Sequence, residues 1–65
     1  MMTSLFGVAV PQRYSVRFNG YADIDVISIG TIEAVAAARM ILIRDRGVRK
    51  AETLASGRVT YVEAV

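Results

Sequence analysis

The chain has 65 residues, a formal net charge of +2, and neither cysteine nor histidine. Without those two residue types it cannot carry disulfides, Cys/His zinc sites, or Ser–His and Cys–His nucleophilic catalysis. A domain of this length buries only about 60% of the surface that its unfolded chain exposes, yet 54% of its residues are apolar. This excess favours self-association or binding to a partner protein, because oligomerisation is a usual remedy for a small core.

Residues 1–11, MMTSLFGVAVP, are strongly apolar. Phe6, Val8 and Val10 alternate with small residues as in a strand, but Pro11 interrupts any ladder because it has no N–H. We interpret the segment as either an edge strand or an apolar arm, ahead of a single domain at residues 12–65. It lacks the positive region of a signal peptide, and no apolar run reaches the ~18 residues of a membrane span. We therefore expect a cytoplasmic protein without a membrane partner.

A β-hairpin is predicted next. Residues 12–19 show the period-two pattern of a half-buried strand, and their apolar members are Tyr14, Val16 and Phe18. Asn19-Gly20 marks the turn, and residues 22–29 form the return strand.

The register of this hairpin follows from its apolar residues. A two-residue loop would place acids on the apolar face, and a one-residue slip inverts a whole strand. A three-residue loop with Gly20 left-handed is therefore predicted, with the pairs Val16–Ala22, Tyr14–Ile24 and Arg13–Asp25. The return strand changes phase near Val26-Ile27, which indicates either a bulge there or cover on both faces.

The stretch TIEAVAAARMILIRDR, Thr31–Arg46, predicts a helix. Thr31 can cap its first turn, and Glu33 lies near the positive end of the helix dipole. Gly47 supplies the left-handed residue that commonly ends a helix, with Val48 placed for the apolar contact beyond it.

The apolar residues of this helix fall on two arcs when each residue is placed at about 100° per step. The first arc consists of Ala34, Val35, Ala38, Ile41 and Leu42. The second arc consists of Ile32, Ala36, Met40 and Ile43, with Arg39 at its border. One apolar stripe is enough for the surface helix of a small domain. We therefore expect the first arc to face the sheet and the second arc, with Arg39, to bind a partner protein or another copy. The alternative is that the chain itself wraps the helix.

The last third of the chain is predicted to contain a second hairpin. Residues 58–65, RVTYVEAV, have the composition of a strand, and a Ser56-Gly57 turn would pair Leu54 with Val59 and Lys50 with Glu63. A short helix or an irregular crossover over residues 48–54 is the alternative. The chain is then an α+β domain of order ββαββ, in which two hairpins form a small antiparallel sheet with one central helix packed on one face.

Few residues suit catalysis or ligand binding. Asp23 and Asp25 lie on one strand face, but a hard cation needs more oxygen ligands than these, and pairing with Arg13 and Arg17 is favoured. The glycines form no phosphate-binding pattern. We expect neither an enzyme nor a bound metal, cofactor or small-molecule substrate.

Four cations follow each other closely near the end of the helix. This basic cluster, Arg44, Arg46, Arg49 and Lys50, could neutralise phosphates. Asp45 and Glu52 lie among them, however, and a net charge of +2 is a weak footprint for a nucleic-acid binder. Cations that complement the helix dipole and a solvated loop are the alternative.

The sequence therefore predicts a non-catalytic protein-interaction module that acts as an accessory subunit, regulator or inhibitor. It would bind a partner protein, or itself as a homodimer, through the second arc. Inhibitors of host systems carried by phages or plasmids fit this description. The alternative function is a small nucleic-acid-binding regulator that uses the basic cluster.

Overall fold

The computed structural model describes residues 10–65. Its elements are β1 (Gln12–Arg17), β2 (Ile24–Ser28), α1 (Thr31–Arg46), α2 (Ala51–Ala55) and β3 (Arg58–Ala64). The strands form an antiparallel sheet in the order β2–β1–β3, and α1 packs on one face of it. The predicted α+β class, with a small antiparallel sheet under one main helix, is confirmed. The predicted N-terminal arm or edge strand lies, apart from Val10 and Pro11, outside the described residues.

The core lies between the sheet and the first arc of α1. Ala34, Ala38 and Leu42 are fully buried at helical spacing, and Val35 and Ile41 pack against them. The small alanines let the helix approach the sheet closely, while Leu42 fills the space beside them. The buried members contributed by the rest of the chain are Tyr14, Val16, Phe18, Val26 and Val48. The first arc therefore faces the sheet as predicted.

The hairpin between β1 and β2 has a different register from the predicted one. Val16 lies opposite Ile24 and Tyr14 opposite Val26, so the return strand is shifted by two residues. An even shift keeps every side chain on its predicted face, which is why the alternation pattern could not distinguish the two registers. The shift lengthens the loop, and Gly20 has a left-handed φ of 85° as predicted.

The irregularity of the sheet lies in β3 and not in β2. The pairing of β1 with β2 is continuous, whereas that of β1 with β3 shifts between Ser15 and Val16. Thr60 is the extra residue at this bulge. The apolar residues that follow the phase change, Ile27 and Ile29, are instead left more than half exposed. The expected bulge near Val26-Ile27 is therefore wrong, and residues 10–65 leave one face of β2 uncovered.

The C-terminal end of α1 is as predicted, and its N-terminal end is not. Gly47 adopts a left-handed φ of 67°, and its neighbour Val48 turns into the core. At the other end, extended Gly30 occupies the cap position and no side chain caps the first turn. The predicted Thr31 cap is wrong because Thr31 is already the first helical residue.

The predicted second hairpin is also wrong. Residues 51–55 form the short helix α2, and β3 pairs with β1. Leu54 reaches the core from this helix, so a strand is not needed to bury it. Glu63 pairs with Arg13 at 3.1 Å, and Lys50 lies 3.8 Å from Glu52. The architecture is thus ββααβ within the described part of the chain.

Candidate protein-interaction surface

The second arc of α1 is largely uncovered by the part of the chain that the structure describes. Ile32 is 82% exposed and Met40 58% exposed, and Ala36 between them is exposed as well. Ile43 is half-buried. Residues 10–65 therefore do not wrap the helix on both sides, although its binding of a partner stays a prediction.

Arg39, at the border of the second arc, has a structural role. Its Nε donates a hydrogen bond to the carbonyl oxygen of Leu54 at 3.0 Å. This bond satisfies a carbonyl at the end of α2 that has no partner within so short a helix. Arg39 therefore ties α2 to α1, and a substitution there would disturb both the fold and the surface.

A groove of about 440 Å³ runs beside the second arc. One wall is formed by α1 and the other by the start of β3, and the lining residues used below are Ile32, Val35, Ala36, Arg39 and Val59. Gly57 is another of its lining residues. A Cβ on Gly57 would lie 2.5 Å from Cε2 of Phe18 and 3.0 Å from Cγ1 of Val35. The absence of a side chain at Gly57 therefore lets the start of β3 approach the core this closely.

The helix-side face of the sheet is covered unevenly. Val26, Tyr14 and Val62 form one row across β2, β1 and β3. Val26 is 8% exposed and Tyr14 is 6% exposed, but Val62 is 42% exposed. Helix α1 therefore covers this row over two strands and leaves its β3 end open.

The β3 strand also has an exposed edge. It pairs with β1 on one side, and no other strand of residues 10–65 lies along its other side. Tyr61 and Val65 are both more than half exposed. Sequence reasoning missed this surface because the predicted second hairpin gave β3 a strand partner that does not exist. The strand composition of residues 58–65 was the available signal.

The opposite face of the sheet carries a group of polar side chains that pair with one another. Arg17 Nε lies 2.6 Å from Asp23 Oδ1, and Ser15 donates to Asp25 at 2.7 Å. The hydroxyl of Thr60 donates to Asp23 Oδ2 at 3.0 Å. The hydrogen bond from Arg17 lowers the pKa of Asp23 below its ordinary range, and the same contact raises the pKa of Arg17. Asp23 pairs with an arginine as predicted, whereas Asp25 pairs with a serine.

The described residues contain no group of three or more acidic side chains that could hold a metal ion. No helix among them has the length and apolar character needed to cross a membrane.

All four members of the basic cluster are exposed. Arg44 pairs with its neighbour Asp45 at 3.1 Å, and Lys50 lies 3.8 Å from Glu52. Arg46 and Arg49 have no carboxylate within 4.0 Å in residues 10–65. Arg46 and Arg49 are therefore the two members of the basic cluster without an ion pair in the described residues.

Comparison of the chain with protein-family models, with curated proteins and with solved structures gave no match.

Proposed function

We propose that the protein is a non-catalytic interaction module that binds a protein through the second arc of α1. The observation that supports this is the exposure of Ile32 and Met40 on one side of a helix whose other side already fills the core. Burying one such side chain at an interface is worth about 1.5–3 kcal/mol. Two large side chains beside the exposed alanine Ala36 can therefore anchor a contact of useful affinity.

The surroundings of the second arc suit a protein partner. The lining of the adjoining groove combines the apolar side chains of Val35 and Val59 with the cations Arg39 and Arg58. Apolar centres with polar borders are typical of protein interfaces. An accessory subunit, a regulator or an inhibitor acts by such occupancy and needs no catalytic group. An inhibitor carried by a phage or plasmid in the cytoplasm of its host is one form of this proposal.

Affinity capture from the source cells, followed by mass measurement of the native complex, tests this function. Met40→Glu places a charge in the second arc and should abolish capture. Ala37→Glu places the same charge on an exposed position of α1 outside both arcs and should leave capture unchanged. Equal capture by the two variants, with both folded by circular dichroism, would mean that the second arc does not bind the partner.

The second candidate function is nucleic-acid binding by the basic cluster. It is favoured by Arg46 and Arg49, which are exposed and have no carboxylate within 4.0 Å in the described part of the chain. Phosphate contacts make affinity fall steeply as the salt concentration rises, whereas an apolar contact of the second arc responds little. A salt titration of the captured complex therefore distinguishes the two functions.

A further inference from the structure

We infer that a second copy of this chain covers the exposed edge of β3 and the open end of the Val62 row, through antiparallel pairing of β3 with β3 of that copy. The inference goes beyond the proposed function, because it concerns the edge of β3 and not the second arc. The product would be a two-fold symmetric dimer with one continuous sheet of six described strands.

The backbone of β3 is suited to this pairing. The strand is seven residues long, and its N–H and C=O groups on the side away from β1 meet no other strand of residues 10–65. Proteins usually protect such edges with lysine, proline or bulges. The bulge at Thr60 protects only the start of β3. Beyond it, residues 61–64 contain no lysine or proline, and their one charge, Glu63, is paired with Arg13 of the same chain.

The other edge strand, β2, is a poorer candidate. It has five residues, and its central helix-side residue Val26 is already buried by α1. Pairing at β2 would therefore remove little apolar side-chain surface from water. At β3, the corresponding residue Val62 remains 42% exposed, and pairing would cover it.

The side chains select the position of the two-fold axis. With the axis at Val62, Val62 lies opposite Val62 of the second copy, and Tyr61 lies opposite Glu63 of the second copy. With the axis at Glu63, the two Glu63 carboxylates would be opposite each other, and directly opposed like charges are destabilising. With the axis at Tyr61, Val62 would lie opposite the bulged Thr60. The register centred on Val62 avoids both problems.

The same symmetry brings the helices to one side. A two-fold axis perpendicular to the sheet keeps the helix-side faces of both copies on the same side. With the axis at Val62, Val59 at the groove lies opposite Val65 of the second copy, so the two grooves lie at opposite ends of the β3–β3 pair. The second copy therefore covers the open end of the Val62 row, whereas the surface beside Ile32 stays available to a partner protein.

Single-cysteine variants test this inference cleanly, because the natural chain has no cysteine. Directly opposite residues of an antiparallel pair have Cα atoms about 4.5–5.5 Å apart, which lies within the range of a disulfide. Val62→Cys should therefore form a covalent dimer under mild oxidation. Ile27→Cys, on β2 and similarly exposed at 55%, is the matched control. We expect Val62→Cys to cross-link at least about tenfold faster, because paired thiols have a high effective concentration.

Sedimentation of the unmodified chain and of Val62→Lys completes the test. The unmodified chain should have twice the mass of the 7.1 kDa chain, and Val62→Lys should have the single mass because it places two like charges at the axis. A monomeric unmodified chain overturns the inference. So does a dimer whose Val62→Cys variant cross-links no faster than Ile27→Cys.

Failure of this inference is distinguishable from failure of the proposed function. If the chain is monomeric but Met40→Glu still abolishes capture of a partner, the second-copy inference is wrong and the proposed function stands. If the chain pairs through Val62 while Met40→Glu changes neither assembly nor capture, the binding role of the second arc is wrong.

Discussion

Gly57 lies directly against the ring of Phe18, the largest fully buried side chain of the described residues. The ring fills the space that a side chain at Gly57 would occupy, and it does so where α2 ends and β3 begins. Ser56 reinforces this junction, because its hydroxyl accepts a hydrogen bond from the N–H of Asn19 at 2.9 Å. The loop of the first hairpin is thereby fixed to the start of β3.

Gly57→Ala should destabilise the protein by about 1–3 kcal/mol, the usual cost of overpacking a core. The new Cβ would lie 2.5 Å from the Phe18 ring, so the ring or the backbone must move. The free energy of unfolding in urea measures the effect. In the double variant Gly57→Ala with Phe18→Leu, the smaller side chain should relieve the collision, so the combined cost should be less than the sum of the single costs. Strict additivity would show that the two residues do not collide.

Gly20→Val should cost about 1–2 kcal/mol, because a left-handed φ is unfavourable for a residue with a branched side chain. Apart from Gly20 and its two chain neighbours, no described residue has a heavy atom within 4 Å of a Cβ at this position, so the cost is conformational and not a collision. Gly20→Asn is the matched control, since asparagine tolerates this conformation. Thermal unfolding of both variants gives the comparison, and an unchanged midpoint for Gly20→Val would refute the left-handed turn.

The parts of the fold that depend on local pattern could be predicted from the sequence. The bounds of α1 follow from its alanine-rich stretch and from Gly47, and the burial of Leu42 follows from helical spacing. The faces of β1 follow from its strict alternation. These features depend on residues close together in the chain, where periodicity carries the information.

The parts that depend on distant contacts could not. The β1–β2 register is ambiguous by two residues, because Ile24 and Val26 share a face and either can oppose Tyr14. Leu54 can reach the core from a strand or from a helix, so its apolar character did not distinguish α2 from a second hairpin. The pairing of β3 with β1 joins residues far apart in sequence, and no local signal specifies it. The predicted second hairpin assigned β3 a strand partner, and the exposed edge of β3 was therefore not predicted.

The Arg17–Asp23 pair makes stability depend on pH in a defined direction. The hydrogen bond from Arg17 lowers the pKa of Asp23 in the folded protein. Such a carboxylate stabilises the fold above its unfolded pKa, and the contribution is lost as the pH falls through the lower folded pKa. Between about pH 5 and pH 2, the Tm of the natural chain should therefore fall further than that of Asp23→Asn. Parallel Tm curves for the two proteins would show that the pair adds no stability.

We predict no tight binding of duplex DNA at physiological salt. Two of the four cations of the basic cluster lie beside the carboxylates of Asp45 and Glu52, and few phosphate contacts give weak, salt-sensitive binding. Fluorescence anisotropy with a labelled duplex measures the Kd. A value below about 1 µM that is weakened by Arg46→Glu or Arg49→Glu would promote the nucleic-acid function above the protein-binding one.

Paired charge substitutions on the two arcs of α1 distinguish its core-facing side from its proposed binding side. Leu42 is fully buried, so Leu42→Glu places a charge in the core and costs several kcal/mol. That cost is comparable with the ~3–5 kcal/mol that so small a core supplies, and we expect the variant to unfold. Met40 lies on the second arc and is mostly exposed, so Met40→Glu should keep the fold.

The most direct measurement is therefore circular dichroism and sedimentation of Met40→Glu beside Leu42→Glu and the natural chain. We expect natural helix content for Met40→Glu together with loss of self-association or of partner capture, and loss of helix content for Leu42→Glu. If Met40→Glu unfolds as Leu42→Glu does, both arcs belong to the core and the binding surface is wrong. If Met40→Glu changes neither folding, assembly nor capture, the second arc is exposed but binds nothing.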